Sequence, residues 1–484
     1  LGLQYDEELL LNCVLLSINS DSTVSFMSET QNKLAHSAIT VPVVRKLLHR
    51  GAHARLARVL GKAHPVEVAR LLSALRGSER AQAFSILLDE TDASHVADSI
   101  SEMSPSDSIP LLGELKPDQI AKYLSEMPAD DATNLASRLP DPLASQVLAL
   151  MEAEPAADVR ELLEHEERTA GRIMTRNYFA LEEDVTISEA VAALQRRSEE
   201  FEMVFYVYVV DKRDHLVGVV SLRKLLTTHP ATQLKRIMVQ DVISVRTSAD
   251  QEEVARLVSE YNLLAIPVVD EEDKLVGIVT VDDVIDVLQE EVAEDLLALA
   301  GVTAEERIST PALRSLRLRA PWLLVNLATT FLPAYVISRF NPEISKYAYL
   351  AALVTIPMGM GGNAATQTLT VIIRGLALRE LPGVGRLLGK QFVVDFGNGI
   401  INGLVAALIG LLISRSIWIG LVLALAMLIN MVVSGLAGTL VPVALKKMGI
   451  DPAVSSTVFV TTFTDVGGSL SFLGLATILL KLWT

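Results

Sequence analysis

A single cysteine, Cys13, among 484 residues leaves no intramolecular disulfide framework and disfavours a thiolate metal site, as suits a cytosolic head. No Gly-x-x-x-x-Gly-Lys-Ser/Thr run is present, which disfavours an ATP-driven pump or hydrolase, and no catalytic constellation stands out. Acidic charge is scarce in the last third. Residues 313 to 484 hold 5 Asp/Glu against 13 Lys/Arg, whereas residues 1 to 312 hold 53 against 29. The start, Leu1-Gly2-Leu3-Gln4-Tyr5-Asp6-Glu7-Glu8, has no basic run leading into a signal-peptide core, and its first residue is not Met. What is present is an acidic soluble part joined to an apolar one. Such a head repels nucleic acid and collects cations, although surplus carboxylates also serve solubility alone.

Residues 40 to 165 read as short helices with leucine stripes, punctuated by Pro65, Pro105, Pro117, Pro128, Pro140, Pro142 and Pro155. Proline recurs near helix starts, where its missing N–H costs nothing, and the pattern is that of a small stacked array. From 171 to 288 a unit repeats. Gly171-Arg172-Ile173-Met174 returns as Arg236-Ile237-Met238, and Gly218-Val219-Val220-Ser221 as Gly277-Ile278-Val279-Thr280. Two similar halves packed face to face are expected. These features resemble a tandem pair of cystathionine-beta-synthase-type (CBS) domains. The resemblance implies a regulatory module that often dimerises and, in that family, is able to take an adenosine nucleotide such as ATP between its halves. The family's Ser/Thr-x-x-Asp motif survives as Thr280-Val281-Asp282-Asp283, whereas the first copy has Ser221-Leu222-Arg223-Lys224. One candidate nucleotide pocket, at Thr280 and Asp283, therefore remains.

An acidic helix and its exit follow over 281 to 310. Asp283, Asp286 and Glu290 share one face, and Glu291, Glu294 and Asp295 lie at similar spacing, with Glu305-Glu306 at the exit. Same-sign neighbours at that spacing repel, and a divalent ion between them reverses the sign.

Five membrane spans are expected, over 318–338, 347–373, 392–414, 417–445 and 453–480, several exceeding the roughly 20 residues a bilayer requires. With the soluble head inside, the inner loops take Arg314, Arg317, Arg319, Arg374, Arg379, Arg386, Lys390, Lys446 and Lys447. The outer side takes Arg339, Lys346, Arg415 and Lys481. This predicts a cytoplasmic N-terminus and an outside C-terminus in the plasma or inner membrane. The second span carries Pro357-Met358-Gly359-Met360-Gly361-Gly362-Asn363-Ala364-Ala365-Thr366-Gln367, whose proline frees a backbone acceptor and whose glycines permit close approach. The fourth carries Asn430, and the fifth carries Asp465, read as the only acidic residue near the middle of any span. A carboxylate at membrane depth is costly and points to an ion pathway. Magnesium holds its water tightly and takes oxygen ligands, so carboxylates with neutral oxygens suit its hydrated form, although residue type alone does not exclude other cations.

Across these motifs the chain resembles the MgtE family of magnesium transporters and channels. The most specific stretches are Glu164-His165-Glu166-Glu167-Arg168-Thr169-Ala170-Gly171-Arg172-Ile173-Met174, the run from Pro357 to Gln367 with Arg374-Gly375-Leu376-Ala377, and Thr461 to Gly467. The resemblance implies a multidomain chain. After a segment 1–39 of uncertain structure come an all-α superhelical N-terminal domain (40–165), α/β tandem CBS domains (166–280), a long acidic connecting or plug helix with its exit (281–310) and a five-helix transmembrane domain (311–484). It also implies a non-enzymatic homodimer in membrane lipid, passing Mg2+ along Asp465, Gly362, Asn363, Ala364 and Ala365, with Asn430 nearby. Cytoplasmic Mg2+ would close the pathway through Asp250, Glu252, Asp283, Asp286, Glu291, Glu294, Asp295 and Asp451. Two positions depart from the family pattern: Asn262 replaces a frequent carboxylate, and Ala365 a usual glycine. Competing readings are a proton- or sodium-coupled carrier, disfavoured by the lack of an obvious second intramembrane acid, and a membrane-bound magnesium or nucleotide sensor.

Overall fold

A computed structural model describes residues 40–197, 204–303, 306, 310–377 and 383–483. Segment 1–39, Glu305, Arg379 and the side chain of Lys481 lie outside that description. Residues through Val287 and residues from Leu288 form two compact units.

In the first unit, ten described helices run from α1 (Val41–His49) to α10 (Ala153–Glu164). Pro65, Pro105 and Pro117 each occupy a first helical position, so their fixed φ starts the turn without forfeiting a hydrogen bond. Leucine, alanine and valine stripes from successive helices, including Leu56, Leu72, Leu87, Leu112 and Leu124, close into one continuous core.

Beyond α11 (Ala170–Ile173) the chain forms two three-stranded sheets, β1 (Ala180–Glu182), β2 (Tyr206–Val210) and β3 (Leu216–Ser221), then β4 (Val245–Arg246), β5 (Ala265–Val269) and β6 (Leu275–Thr280). In each sheet the first pair is parallel and the second antiparallel, with a register shift at Val209/Val210 and again at Val268/Val269. The hairpins repeat as well. Asp211 Oδ1 accepts from the amides of Arg213 and His215, as Asp270 Oδ1 does from Glu272 and Lys274. Asp214 and Asp273 both take left-handed φ, 65° and 62°, a conformation that Asp tolerates better than most residues.

The halves are interlocked rather than merely apposed. Thr175, from the leading segment of the first copy, exchanges backbone hydrogen bonds with Ile278 in the second sheet at 2.8 and 2.9 Å. Val239, from the second copy, does the same with Val219 in the first sheet at 2.9 and 3.0 Å. Met174 fills the space that a side chain at Gly277 would need, and Met238 does so at Gly218.

After α12 (Ile187–Arg196), α13 (Leu222–Thr227) and α14 (Gln251–Tyr261), helix α15 (Val281–Leu299) carries Val284 and Val287 into the second copy's core. In the second unit its last turn places Ala298 and Leu299 against Leu369 and Ile373, and Thr457 donates to the Leu299 carbonyl at 2.9 Å. At its exit, Glu306 accepts from Arg319 Nε at 2.8 and 2.9 Å and from Ser315.

The second unit comprises α16 (Ala312–Ser338), α17 (Asn341–Lys346), α18 (Tyr349–Leu353), α19 (Thr355–Ala377), α20 (Val384–Ser414), α21 (Ile417–Lys447) and α22 (Pro452–Trp483). Among the described residues, four helices are long and apolar enough to cross a membrane: α16, α20, α21 and, over Thr457–Leu479, α22. The span expected over 347–373 is divided at Val354, because Pro357 has no N–H for the Leu353 carbonyl. Its longer part, α19, carries the Gly-rich polar run, which dilutes its apolar character. Helix α21 is central, packing on α19, α20 and α22. Its close crossing with α20 relies on small residues: a Cβ at Gly403 would stand 2.9 Å from the Ala424 carbonyl, and one at Gly420 would stand 2.8 Å from that of Ala407.

The interlock is testable. Gly277→Val should lower the thermal midpoint of the first unit through overpacking of about 1–3 kcal/mol. Adding Met174→Ala should recover part of that loss, because a Cβ at Gly277 meets Met174 Sδ at 2.6 Å. Strictly additive losses in a thermal-unfolding cycle would contradict the packing.

Candidate ion pathway and regulatory carboxylates

Helices α19, α21 and α22 meet at Asn430. Its Nδ2 donates to the Pro357 carbonyl at 2.7 Å, an acceptor close to the proline break, while its Oδ1 is buried without a hydrogen-bond partner. Gly361 of α19 and Gly467 and Gly468 of α22 lack side chains where Asn430 sits; a Cβ on Gly467 would stand 3.0 Å from Asn430 Oδ1. Asp465 lies just before those glycines in α22 and is partly exposed. Among the described residues its carboxylate makes no hydrogen bond or ion pair.

On α19, Asn363 is exposed, Gly362 and Ala364 are partly exposed, and Ala365 is buried. Thr366 donates to the Gly362 carbonyl at 2.9 Å and Thr368 to that of Ala364 at 3.1 Å, so hydroxyls already occupy these backbone acceptors. The buried methyl of Ala365 packs with Ala437 and Val460. The methyl that distinguishes Ala365 from the glycine usual in the family is therefore spent on packing between helices in the single chain.

The acids expected to regulate lie on several elements. Asp250 caps α14 (Gln251–Tyr261), accepting from the Glu252 amide at 2.8 Å, and both residues are exposed. Asn262 ends that helix in the left-handed conformation, φ 52°, which favours Asn and explains its fit there without reference to a metal. Asp283 and Asp286 lie in the first turns of α15, whereas Glu291, Glu294 and Asp295 lie further along it. Asp451 is exposed immediately before α22. Among the described residues, no three acidic, histidine or cysteine side chains come together as a metal-holding group.

Two carboxylates do meet. Asp130, in α8 (Ala129–Ala136), stands beside Asp283, and its Oδ1 is shut from solvent without a partner. Burial holds the Asp130 carboxyl well above the ordinary range, with Asp283 and then Asp131 adding to the effect. Burial likewise raises Asp283 to about 6, even though it accepts from Thr280 Oγ1 at 2.5 Å; Asp282 and Asp286 raise it further. Burial, followed by Asp282, also raises Asp286. The pair borders a cleft of about 1240 Å³ whose wall includes Asp98, Glu102, Asp131, Asp282 and Arg176. Sequence reading did not identify Asp130, because an acidic residue in a first helical turn is ordinarily explained by the helix dipole.

The Thr280 hydroxyl is thus engaged by Asp283. The neighbouring slot between the tandem halves, lined by Phe179, Tyr206, Tyr208, Ala265 and Ile278, has a volume of about 10 Å³. That is about the space of one water, so an adenosine nucleotide would require it to open.

A second acid missed from the sequence lies in α20. Asp395 falls at the edge of the span predicted to start at 392, but α20 begins at Val384, so Asp395 is well within the helix and only 4% exposed. This corrects the reading of Asp465 as the sole interior acid.

Comparison with known proteins follows the same divisions. The model for the MgtE intracellular N domain matches residues 63–168, CBS domain models match 170–229 and 234–290, and the MgtE divalent cation transporter model matches 354–475. A magnesium transporter MgtE of Enterococcus faecalis is 37% identical over 323 residues, covering 66% of this chain and 71% of the relative. A magnesium transporter MgtE of Thermus thermophilus is 36% identical over 327 residues, with 66% and 72% covered. Among solved structures, the soluble part of a magnesium transporter is 32% identical, covers 52% of this chain and 98% of its own, and has a TM-score of 0.48. The cytosolic domain of the Mg2+ channel MgtE in complex with ATP is 36% identical, with 51% and 100% covered and a TM-score of 0.48.

The raised carboxyl of Asp283 carries a pH signature. A folded-state value of about 6, against an ordinary 3.8, means that the native state binds the proton more tightly. Stability should therefore decline as pH rises from about 4 to about 6, by up to roughly 3 kcal/mol from this group. Asp283→Asn should flatten that part of the thermal-midpoint profile of the first unit. A variant profile parallel to the parent's would show that Asp283 is not perturbed.

Proposed function

The chain belongs to the MgtE family of divalent cation transporters, and on that premise we propose that it passes magnesium passively across a membrane and is closed by magnesium on the side of its acidic unit. The observation carrying the transport reading is Asp465, a carboxylate without a partner among the described residues, set in a membrane-length helix close to the Asn430 junction of α19, α21 and α22. A hydrated divalent cation supplies the missing positive charge, and its waters are able to donate to Asp465 and to the exposed side-chain oxygen of Asn363. Helix α19, with α18 before it, serves as the fifth span, its polar run facing the pathway rather than lipid. Two copies of the chain would bring two Asp465 carboxylates to a shared axis, matching the charge of one magnesium ion.

Closure follows from the same electrostatics. Asp130 and Asp283 repel one another when both are ionised, and a divalent cation beside them favours the arrangement that holds them together. Asp286 acts on Asp283 along the same helix, and Asp250 and Glu252 at the start of α14 are further magnesium-responsive carboxylates in this reading. Glu291, Glu294, Asp295 and Asp451 provide further magnesium-responsive carboxylates on α15 and before α22. In this reading the acidic unit is cytoplasmic, the C-terminus lies outside, and a nucleotide such as ATP would bind near Thr280 and Asp283 after the slot opens.

Asp465→Ala should reduce magnesium uptake into liposomes containing the full chain to the level of protein-free liposomes, while leaving the elution volume of the purified protein unchanged. Uptake equal to the parent's would remove Asp465 from the pathway.

A further inference from the structure

We propose that Asp395 is a proton-binding site apart from the ion pathway, linking protonation of the membrane helices to the position of α19. The inference rests on residues 312–483 being membrane helices, not on which metal they pass.

A continuous set of polar contacts surrounds Asp395. Gln391 Nε2 donates to Asp395 Oδ1 at 2.9 Å and to Thr368 Oγ1 at 2.8 Å. Thr368 Oγ1 in turn donates to the Ala364 carbonyl at 3.1 Å, within the Gly-rich run of α19. The other carboxyl oxygen, Oδ2, lies against Gly435 of α21 so closely that a Cβ there would overlap it. One turn along, a Cβ at Gly438 would stand 3.0 Å from Thr368 Cβ. Gly435 and Gly438 thus allow α21 to close over Asp395 and Thr368 together. Thr439 Oγ1, one turn beyond Gly435, is buried without a partner.

Among the described residues no cationic side chain compensates Asp395. On its own helix Arg386 and Lys390 are exposed; on α19 the next charged residue is Arg374, also exposed. On α21 the next is Lys446, whose Nζ bonds the Leu376 carbonyl. Among the described residues none forms an ion pair with Asp395. A buried carboxylate with one amide donor and no counter-charge is costly when ionised. Magnesium would need about six oxygens in octahedral array, but Oδ2 lies against Gly435 of α21 and, among the described residues, no metal-holding group of three acidic, histidine or cysteine side chains is present. The cation that fits without separating α20 from α21 is a proton. When the proton leaves, the charge favours opening of the Gly435 crossing to water, and the Gln391–Thr368 connection transmits that change to α19.

The test uses the full chain in liposomes. Infrared difference spectra should contain a protonated-carboxyl stretch at neutral pH that is absent in Asp395→Asn and shifted in Gln391→Leu, which removes only the donor. Deuterium uptake by residues 355–377 should vary with pH over about 5 to 9 in the parent and lose that variation in Asp395→Asn. Thr368→Val should retain the infrared band but lose the same variation. A carboxyl band unchanged in both Asp395→Asn and Gln391→Leu would overturn proton binding, and undiminished pH dependence of uptake in Thr368→Val would overturn the link to α19. Neither readout depends on magnesium flux, so a chain that carried no magnesium would leave this proposal standing while refuting the transport reading.

Discussion

Carboxylates drawn into the fold without a basic partner among the described residues constrain both units of this protein. Asp130 and Asp283 meet in the first unit; Asp395 and Asp465 are set among the apolar helices of the second. In each case no Lys or Arg among the described residues forms an ion pair that would neutralise the charge. Its net charge of -16 comes from the acidic first part, because the helical last part is basic. In the proposed function a mobile cation decides between arrangements, because a cation binds most strongly where negative charge is left uncompensated.

Small residues make those placements tolerable. Glycines in α19 and α22 let Asn430 reach between helices, while Gly435 makes room for Asp395. The tandem sheets use the same device: Met174 and Met238 cross from one copy to fill the glycine gaps of the other. Both are tightly fitted contacts in which an added methyl has nowhere to go, so changes at one element are felt by its neighbour.

Local pattern made much of this architecture legible. Proline spacing marked helix starts in the stacked array and the return of the Ile-Met and Gly-Val/Ile-Val motifs marked two related halves, whereas the span expected over 347–373 missed the division at Val354. The exchange of leading segments between the halves was not legible, because Thr175 meets Ile278 across a long sequence separation that no local period encodes. Asp465 stood out as the one charged residue between Asp451 and Lys481. Asp395 did not, because nearby Lys390 and Gln391 made the predicted span begin too late. Asp130 looked like an ordinary acid at a helix start, and only its burial beside Asp283 distinguishes it.

The central claim is that uncompensated carboxylates make the chain both a path for magnesium and a sensor of it. Its most direct test is magnesium flux through the full chain in liposomes while magnesium is titrated on the side bearing the acidic unit. Flux that falls as that concentration rises, under a constant driving gradient, is the predicted result. Flux indifferent to magnesium on that side would contradict the account.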